Sequence, residues 1–249
     1  MKEPQLQLPG LFVTGTDTGV GKTWVCAAIA RNLAETGLKV GVIKPVATGL
    51  TDLFSDNSDA FCLLQMAGWP IRPEFMKLAC PISFEVAAAP VVSARAAGRR
   101  LEWSEICDGV IQSIRGWIAL DVDCILVEGV GGLHCPMAEG GKTVLDLIEM
   151  LDWPVVVVAR RGLGTLSKTI GTVNALKQGP SRIAGVILNH IPGDEALGIP
   201  ESTAALELST HICPVGLLHD GQGLAKSPEE LASHMKWLAW NQRLGRPRW

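Results

Sequence analysis

The sequence predicts an α/β fold: a single doubly wound, mostly parallel sheet with helices on both faces. Three observations support this prediction. Apolar runs alternate with helical patterns along the chain, the runs are continuous rather than alternating, and a glycine-rich turn follows the first of them. Alternation of strands with helices is typical of parallel sheets, and continuous apolar strands are typical of sheets covered on both faces.

The predicted strands are short apolar runs that end in a turn or a polar residue. The run at residues 154–159 contains four consecutive valines, and the run at 123–127 passes directly into a glycine-rich stretch. The six runs lie at residues 11–14, 39–43, 123–127, 154–159, 183–188 and 215–218.

The predicted helices fill the intervals between these runs. The clearest lies at residues 104–120, where apolar residues recur at helical spacing and form one stripe. The others begin at Trp24 or cover residues 58–64, 143–151, 165–178 and 201–211. Residues 80–90 show no such pattern and are predicted to form a loop.

After Gly223 the chain changes character. Ser227 is a helix cap, Pro228 lies in the first turn and Glu230 occupies the capping-box position, so a helix is predicted to run to about residue 243. We therefore expect a main domain at residues 1–222 and a helical extension at 223–249 that packs on it.

Composition excludes several functional classes. The net charge is −3 with both signs scattered, which argues against nucleic-acid or membrane-surface binding. No apolar run reaches the roughly 18 residues that span a bilayer, and the first residues lack a signal-peptide core. Seven cysteines without a Cys-x-x-Cys pair predict free thiols and no zinc site. These observations indicate a cytoplasmic protein.

A phosphate-binding loop is predicted at residues 15–23, between the first strand and the first helix. Its glycines let successive backbone N–H groups converge on an anion, and the helix start adds partial positive charge. Lys22 can reach the β- and γ-phosphates, and the Thr23 hydroxyl can bind Mg²⁺. Five residues rather than four separate Gly15 from Gly21, so the loop departs from the common form.

Polar side chains at strand ends are the further candidates, because ligands bind beyond the carboxyl ends of parallel strands. They are Lys44, Glu128, Asn189 and either Arg160 or Arg161. A second lysine beside a phosphate loop can neutralise a transferring phosphoryl group. A plain surface lysine and a solvated strand-end acid are the alternative interpretations of Lys44 and Glu128.

Asp59 and Glu128 are the candidate Mg²⁺ ligands, since Mg²⁺ is usually held by one or two carboxylates with phosphate and water. Alternatively, Ser58 or Asp59 only caps a helix. The turn at residues 162–167 opens a helix whose free N–H groups can hold a carboxylate, although it could equally be an ordinary strand-to-helix turn.

Five segments together resemble the dethiobiotin synthetase family, which has a P-loop NTPase-like fold. They are Gly-Thr-Asp-Thr-Gly-Val-Gly-Lys-Thr at 15–23, Lys-Pro-Val-Ala at 44–47, Asn-Ser-Asp at 57–59, Val-Glu-Gly-Val-Gly-Gly at 127–132 and Gly-Leu-Gly-Thr at 162–165. They stand in the family's order, and the resemblance extends from residue 11 to about 218.

The resemblance implies an enzyme of biotin biosynthesis that works as a homodimer. It makes the ureido ring of dethiobiotin from 7,8-diaminononanoate, CO₂ and ATP with Mg²⁺. One amine captures CO₂ as a carbamate, which attacks the γ-phosphate to give a carbamic–phosphoric anhydride. The second amine then closes the ring and releases phosphate.

It also implies a role for each matched residue. The implied catalytic residues are Lys44, Lys22 and Thr18. The implied nucleotide-binding residues are Asp17, Thr18, Gly19, Val20, Gly21, Lys22, Thr23, Asp59, Glu128, Gly129, Val130, Gly131, Asn189 and His190, with Asn189 at the adenine. The implied Mg²⁺ ligands are Thr23, Asp59 and Glu128. The implied substrate contacts are Thr48, Gly164, Thr165, Leu166 and Ser167, the last four binding the substrate carboxylate across the dimer interface.

Some positions depart from the family's pattern. Ser167 stands where members often have Asn, and Gly162 stands where some carry a loop lysine. We hypothesise that Arg160 or Arg161 supplies the missing positive charge.

Two other functions remain as alternatives. Partition-type switch ATPases share the fold, but they carry a signature lysine where this chain has Asp17 and a different switch where it has residues 128–132. Amidating ligases of related fold need a glutaminase domain with a nucleophilic cysteine. Only about 30 residues follow Leu218, too few for such a domain.

Overall fold

The computed structural model describes residues 8–189 and 215–218. The strands are β1 (Gly10–Gly15), β2 (Val40–Ile43), β3 (Val46–Thr48), β4 (Ile82–Phe84), β5 (Cys124–Glu128), β6 (Val155–Arg160), β7 (Ile183–Asn189) and β8 (Val215–Leu218). The helices are α1 (Lys22–Glu35), α2 (Asp59–Met66), α3 (Pro73–Ala79), α4 (Pro90–Ala96), α5 (Trp103–Ala119), α6 (Val144–Leu151) and α7 (Thr165–Gln178).

The main sheet has six strands in the order β2-β5-β1-β6-β7-β8, and every neighbouring pair is parallel. All residues of β1, β2 and β5 are buried. Because continuous apolar strands lose contact with water only when both faces are covered, the burial explains the sequence pattern. The predicted α/β fold and its six strands are confirmed.

The sheet order determines which strand ends are neighbours. In the β2–β5 register Ile43 lies opposite Val127, so the next residues, Lys44 and Glu128, lie side by side at the carboxyl ends of these strands. On the other side of β5, β1 runs into the phosphate loop after Gly15. Parallel pairing therefore brings three segments distant in sequence to one edge of the sheet.

A second, two-stranded sheet corrects the sequence prediction. Residues 82–84, predicted to be loop, form β4 and pair in parallel with β3, with Val46 opposite Ile82. Helices α3 and α4 were not predicted either. These elements are three to seven residues long, too short to carry a recognisable period, and β3 and β4 become strands only through pairing with each other.

Two tryptophans have a structural role at the edge strand β2. The indole N–H of Trp69 donates to the Val40 carbonyl at 2.7 Å, and that of fully buried Trp117 donates to the Val42 carbonyl at 3.1 Å. Their ring centroids lie 5.0 Å apart. Carbonyls on the open edge of a sheet lack a neighbouring strand, so the indoles satisfy groups that would otherwise be buried without a partner.

The six cysteines within the described residues are free, as predicted. None of the helices described there is long and apolar enough to span a bilayer. The predicted helices at 201–211 and 227–243, the division at residue 222 and His190 fall outside the described residues.

Candidate functional site

The phosphate loop connects β1 to α1 and depends on two left-handed glycines. Gly19 has φ 72° and Gly21 has φ 87°, conformations that other residues adopt only with strain. Lys22 is the first residue of α1, and its ammonium donates to the Asp17 carbonyl of the same loop at 2.9 Å. Burial and the nearby positive charge of Lys44 lower the pKa of Lys22 to about 8.

Four side chains meet beside this loop, and we call them the acid–lysine cluster: Thr23, Lys44, Asp59 and Glu128. The Lys44 ammonium contacts Glu128 Oε1 at 2.6 Å and Asp59 Oδ2 at 2.7 Å. The Thr23 hydroxyl lies 2.8 Å from both Asp59 Oδ1 and Glu128 Oε1. Residues from α1, from α2 and from the ends of β2 and β5 thus converge on one point.

Burial sets the electrostatics of the cluster. The side chains of Lys44 and Glu128 are only 5% and 1% exposed. Burial opposes the charge on Lys44, but the two carboxylates outweigh it and raise the pKa of Lys44 above its ordinary value. Burial raises the pKa of Glu128. For Asp59 the effect of burial is outweighed by Lys44 and Thr23, so its pKa is lowered.

The cluster also offers oxygen atoms that fit a divalent cation. Glu128 Oε2 is buried and has no hydrogen-bond partner within the described part of the chain, although its other oxygen accepts from both Lys44 and Thr23. No group of three or more His, Cys, Asp or Glu side chains able to hold a metal occurs among residues 8–189 and 215–218. A hydroxyl and two carboxylates suit Mg²⁺, which completes its shell with phosphate and water.

The glycine-rich segment after β5 packs against the phosphate loop. Lys44 Nζ lies 3.3 Å from the Gly129 carbonyl. A Cβ on Gly132 would meet the Thr16 carbonyl at 3.2 Å, and one on Gly131 would meet Cys135 at 2.9 Å. Gly132 is thus where the two loops approach most closely and a side chain would be crowded, whereas Gly131 allows the segment after β5 to fold back on Cys135.

The start of α7 lies beside the same loop. It follows Gly164, whose φ of 86° places it in the left-handed region. A cavity of about 190 Å³ separates the helix start from the phosphate loop, lined by Thr16, Asp17, Val20, Arg160, Gly162, Leu163, Thr165 and Lys168. Sequence reasoning missed Lys168, which forms a 2.6 Å ion pair with Asp17. Its only signal was its position one turn into the helix after the glycine turn.

Three further residues of the sequence analysis lie at the end of β7, at the end of β3 and just before α2. Asn189 lies at the end of β7, buried, with its amide against the phosphate loop. Thr48 ends β3, four residues beyond Lys44, in register with Phe84. Ser58 is the residue before α2 but makes no side-chain cap hydrogen bond, so the capping interpretation does not explain it.

Comparison with known proteins identifies relatives along most of the chain. The AAA domain family matches residues 9–224. The chain is 37% identical over 224 residues to the ATP-dependent dethiobiotin synthetase BioD of Anaeromyxobacter dehalogenans (strain 2CP-C), covering 90% of this chain and 96% of the relative. It is 36% identical over 214 residues to the protein of the same name from Bacillus licheniformis, covering 85% and 84%.

Among solved structures, chloroplast FtsY from Physcomitrella patens superposes with a TM-score of 0.50 at 15% identity. The match covers 87% of this chain and 60% of that one. This likeness supports a P-loop NTPase-like fold and carries no information on the reaction.

Proposed function

We propose individual residue roles from one premise: the chain belongs to the dethiobiotin synthetase family. The protein is an ATP-dependent ligase that forms the ureido ring of dethiobiotin in biotin biosynthesis. Membership of this family argues against the switch-ATPase and amidating-ligase alternatives. The observation that carries the proposed roles is the position of the Lys44 ammonium, between two carboxylates and beside the phosphate loop.

The phosphate loop is proposed to hold the ATP phosphates through the backbone of residues 17–21 and the side chains of Thr18, Lys22 and Thr23. Lys22 at present donates to a carbonyl of its own loop, a neutral acceptor that an anionic phosphate oxygen can replace. The segment at residues 128–131 and His190 are also proposed to bind the nucleotide, and Asn189 is proposed to contact the adenine.

Mg²⁺ is proposed to be held by Thr23, Asp59 and Glu128. When bound there, it supplies positive charge against the β- and γ-phosphates. Two observations support this assignment: Glu128 Oε2 has no hydrogen-bond partner among the described residues, and the donor atoms are all hard oxygens.

Lys44 is proposed to act as a fixed positive charge rather than as a base. Its raised pKa keeps the ammonium protonated at physiological pH, so it can stabilise negative charge as the carbamate oxygen attacks the γ-phosphorus and ADP leaves. In the next step the second amine attacks the carbamoyl carbon, the C–O bond to phosphate breaks, and the amine proton passes to water. The residues hold and neutralise the reactants throughout.

In a homodimer, residues 164–167 at the start of α7 of one subunit are proposed to bind the carboxylate of the substrate held in the active site of the other subunit. Thr48 is proposed to contact the substrate. Helix N-termini are suited to anions. We expect two inactive variants, Lys44→Met and Ser167→Asp, to complement each other when mixed. Statistical exchange would restore roughly a quarter of wild-type activity, since half the dimers carry one intact site. A strictly monomeric active enzyme, or a mixture without activity, would contradict the shared site.

The Lys168–Asp17 pair is expected to favour nucleotide binding. Asp17 places a carboxylate at the mouth of the phosphate loop, and Lys168 compensates its charge at 2.6 Å. Both side chains are about half exposed, so we expect Lys168→Gln to raise the KM for MgATP only about two- to fivefold at low salt. Adding Asp17→Asn should restore it. An unchanged KM in Lys168→Gln at low salt would rule out this role.

Lys22 makes nucleotide binding pH-dependent. With a pKa of about 8 it is protonated below that pH and loses its proton above it, whereas a bound phosphate favours the ammonium. Affinity for MgATP without diamine is therefore expected to fall as pH rises through about 8, with proton uptake on binding that is small well below pH 8 and grows as the pH rises through it. Calorimetry in buffers of different ionisation enthalpy measures this, and Lys22→Arg, which stays charged, should show no uptake. Equal uptake at pH values well below 8 would contradict it.

The reaction itself is tested by incubating the purified protein with diaminononanoate, bicarbonate and MgATP. We expect dethiobiotin and phosphate in equal amounts, and no phosphate release when the diamine is omitted. Diamine-independent release of phosphate without dethiobiotin would instead indicate a nucleotide-switch ATPase.

A further inference from the structure

We propose that Asn189 is a positioning residue for the phosphate loop, in addition to any contact with the base. This inference rests on the proposed function, because it concerns how the same loop binds phosphate. Asn189 Nδ2 donates to the Val20 carbonyl at 3.0 Å, although 169 positions separate the two residues. The bond joins the end of β7 to the tip of the loop.

Both ends of this bond are held in place. The backbone of Asn189 pairs with Arg160 of β6 and with Leu218 of β8, and its carbonyl accepts from the Arg161 N–H at 3.1 Å. Val20 is fully buried, between the two left-handed glycines of the loop. The amide therefore transmits the rigidity of the sheet to the loop segment whose N–H groups must converge on phosphate.

The orientation of the carboxamide follows from its surroundings. The Val20 carbonyl can only accept, so the NH₂ group must face it, and Oδ1 is left buried without a partner in the described part of the chain. A Cβ on Gly21 would overlap with Asn189 Nδ2, so the amide packs directly on that glycine. Glycine at position 21 thus serves both the left-handed turn and the approach of Asn189.

The physical consequence concerns preorganisation. A loop already held in its binding shape loses less conformational freedom when phosphate binds. Removing the bond should weaken every ligand that uses the loop, including one without a base. A contact to adenine alone would affect only nucleotides.

The experiment compares the Kd values of MgATP and of inorganic tripolyphosphate with Mg²⁺, measured by calorimetry on the full chain. In Asn189→Leu, which keeps the shape and removes the donor, we expect both to weaken by the same roughly three- to tenfold factor. The KM for MgATP should rise equally and that for the diamine should not change. Thr14→Val is the matched control, because the Thr14 hydroxyl is buried beside the loop and has no partner among the described residues.

Two outcomes overturn the inference. If tripolyphosphate binds to Asn189→Leu as tightly as it binds to the wild-type protein, Asn189 only contacts the adenine or only stabilises the fold. The proposed function is then unaffected. If wild type binds neither ligand, the phosphate loop itself fails as a site and both proposals fall. Should Asn189→Leu not fold, Asn189→Ala is measured in its place, with thermal unfolding in the absence of ligand to separate stability from affinity.

Discussion

Replacement of Lys44 by methionine is expected to lower turnover by about 10²–10³-fold while MgATP binding stays within a few-fold of wild type. A preorganised charge aimed at a developing anion contributes about this much to a rate. Among the described residues, the polar contacts of the Lys44 ammonium go to Asp59, Glu128 and the Gly129 carbonyl rather than to the phosphate loop, so the loop's own contacts to ATP remain. Single-turnover kinetics and equilibrium binding of MgATP measure the two effects separately.

Lys44→Met is also expected to destabilise the fold, so a control variant must separate loss of stability from loss of catalysis. Without the ammonium, buried Glu128 loses its counter-charge and Asp59 loses its ion pair. Breaking a buried ion pair from one side costs about 3–5 kcal/mol. Lys44→Met combined with Glu128→Gln removes one of the stranded charges, so we expect it to recover part of the unfolding free energy but none of the turnover. Wild-type turnover in Lys44→Met would remove Lys44 from the mechanism.

Replacement of Glu128 by glutamine is expected to raise the Mg²⁺ concentration needed for half-maximal activity about 10–100-fold. Altering groups that only orient metal ligands already costs about 10–100-fold in metal affinity or activity, and loss of a ligand's charge is expected to cost at least as much. The substitution keeps the shape of the side chain but removes the charge that faces Thr23 and Lys44. Binding of Mn²⁺ to the protein with ADP, followed by paramagnetic resonance, provides a readout independent of turnover.

Glu105→Gln is the control for this experiment, since Glu105 pairs with Arg99 on an exposed part of α5. Its metal dependence should equal that of wild type. If Glu128→Gln also shows an unchanged Mg²⁺ dependence, Glu128 is not a ligand and the metal assignment fails.

The candidate site was predictable in part because several of its residues directly follow buried strands. Lys44 and Glu128 each end an apolar run, which suffices to place them at the carboxyl edge of a parallel sheet. Asp59 was harder to assign, because an acid at a helix start has a local explanation. The structure shows that the Asp59 carboxylate contacts Lys44 at 2.7 Å and Thr23 at 2.8 Å, which favours a place in the acid–lysine cluster over a simple helix cap.

Local sequence by itself determined the α/β class, the main strands and the phosphate loop. The signals for these features, which are the spacing of apolar residues, the φ preference of glycine and the residue types at helix N-termini, each depend on only a few neighbouring residues. Tertiary structure alone decided that β2 lies beside β5, that Lys168 pairs with Asp17 and that Asn189 holds Val20. It also created β3 and β4, which have no strand signal of their own. These contacts join residues up to 169 positions apart, and packing of the whole sheet, rather than any local preference, selects them.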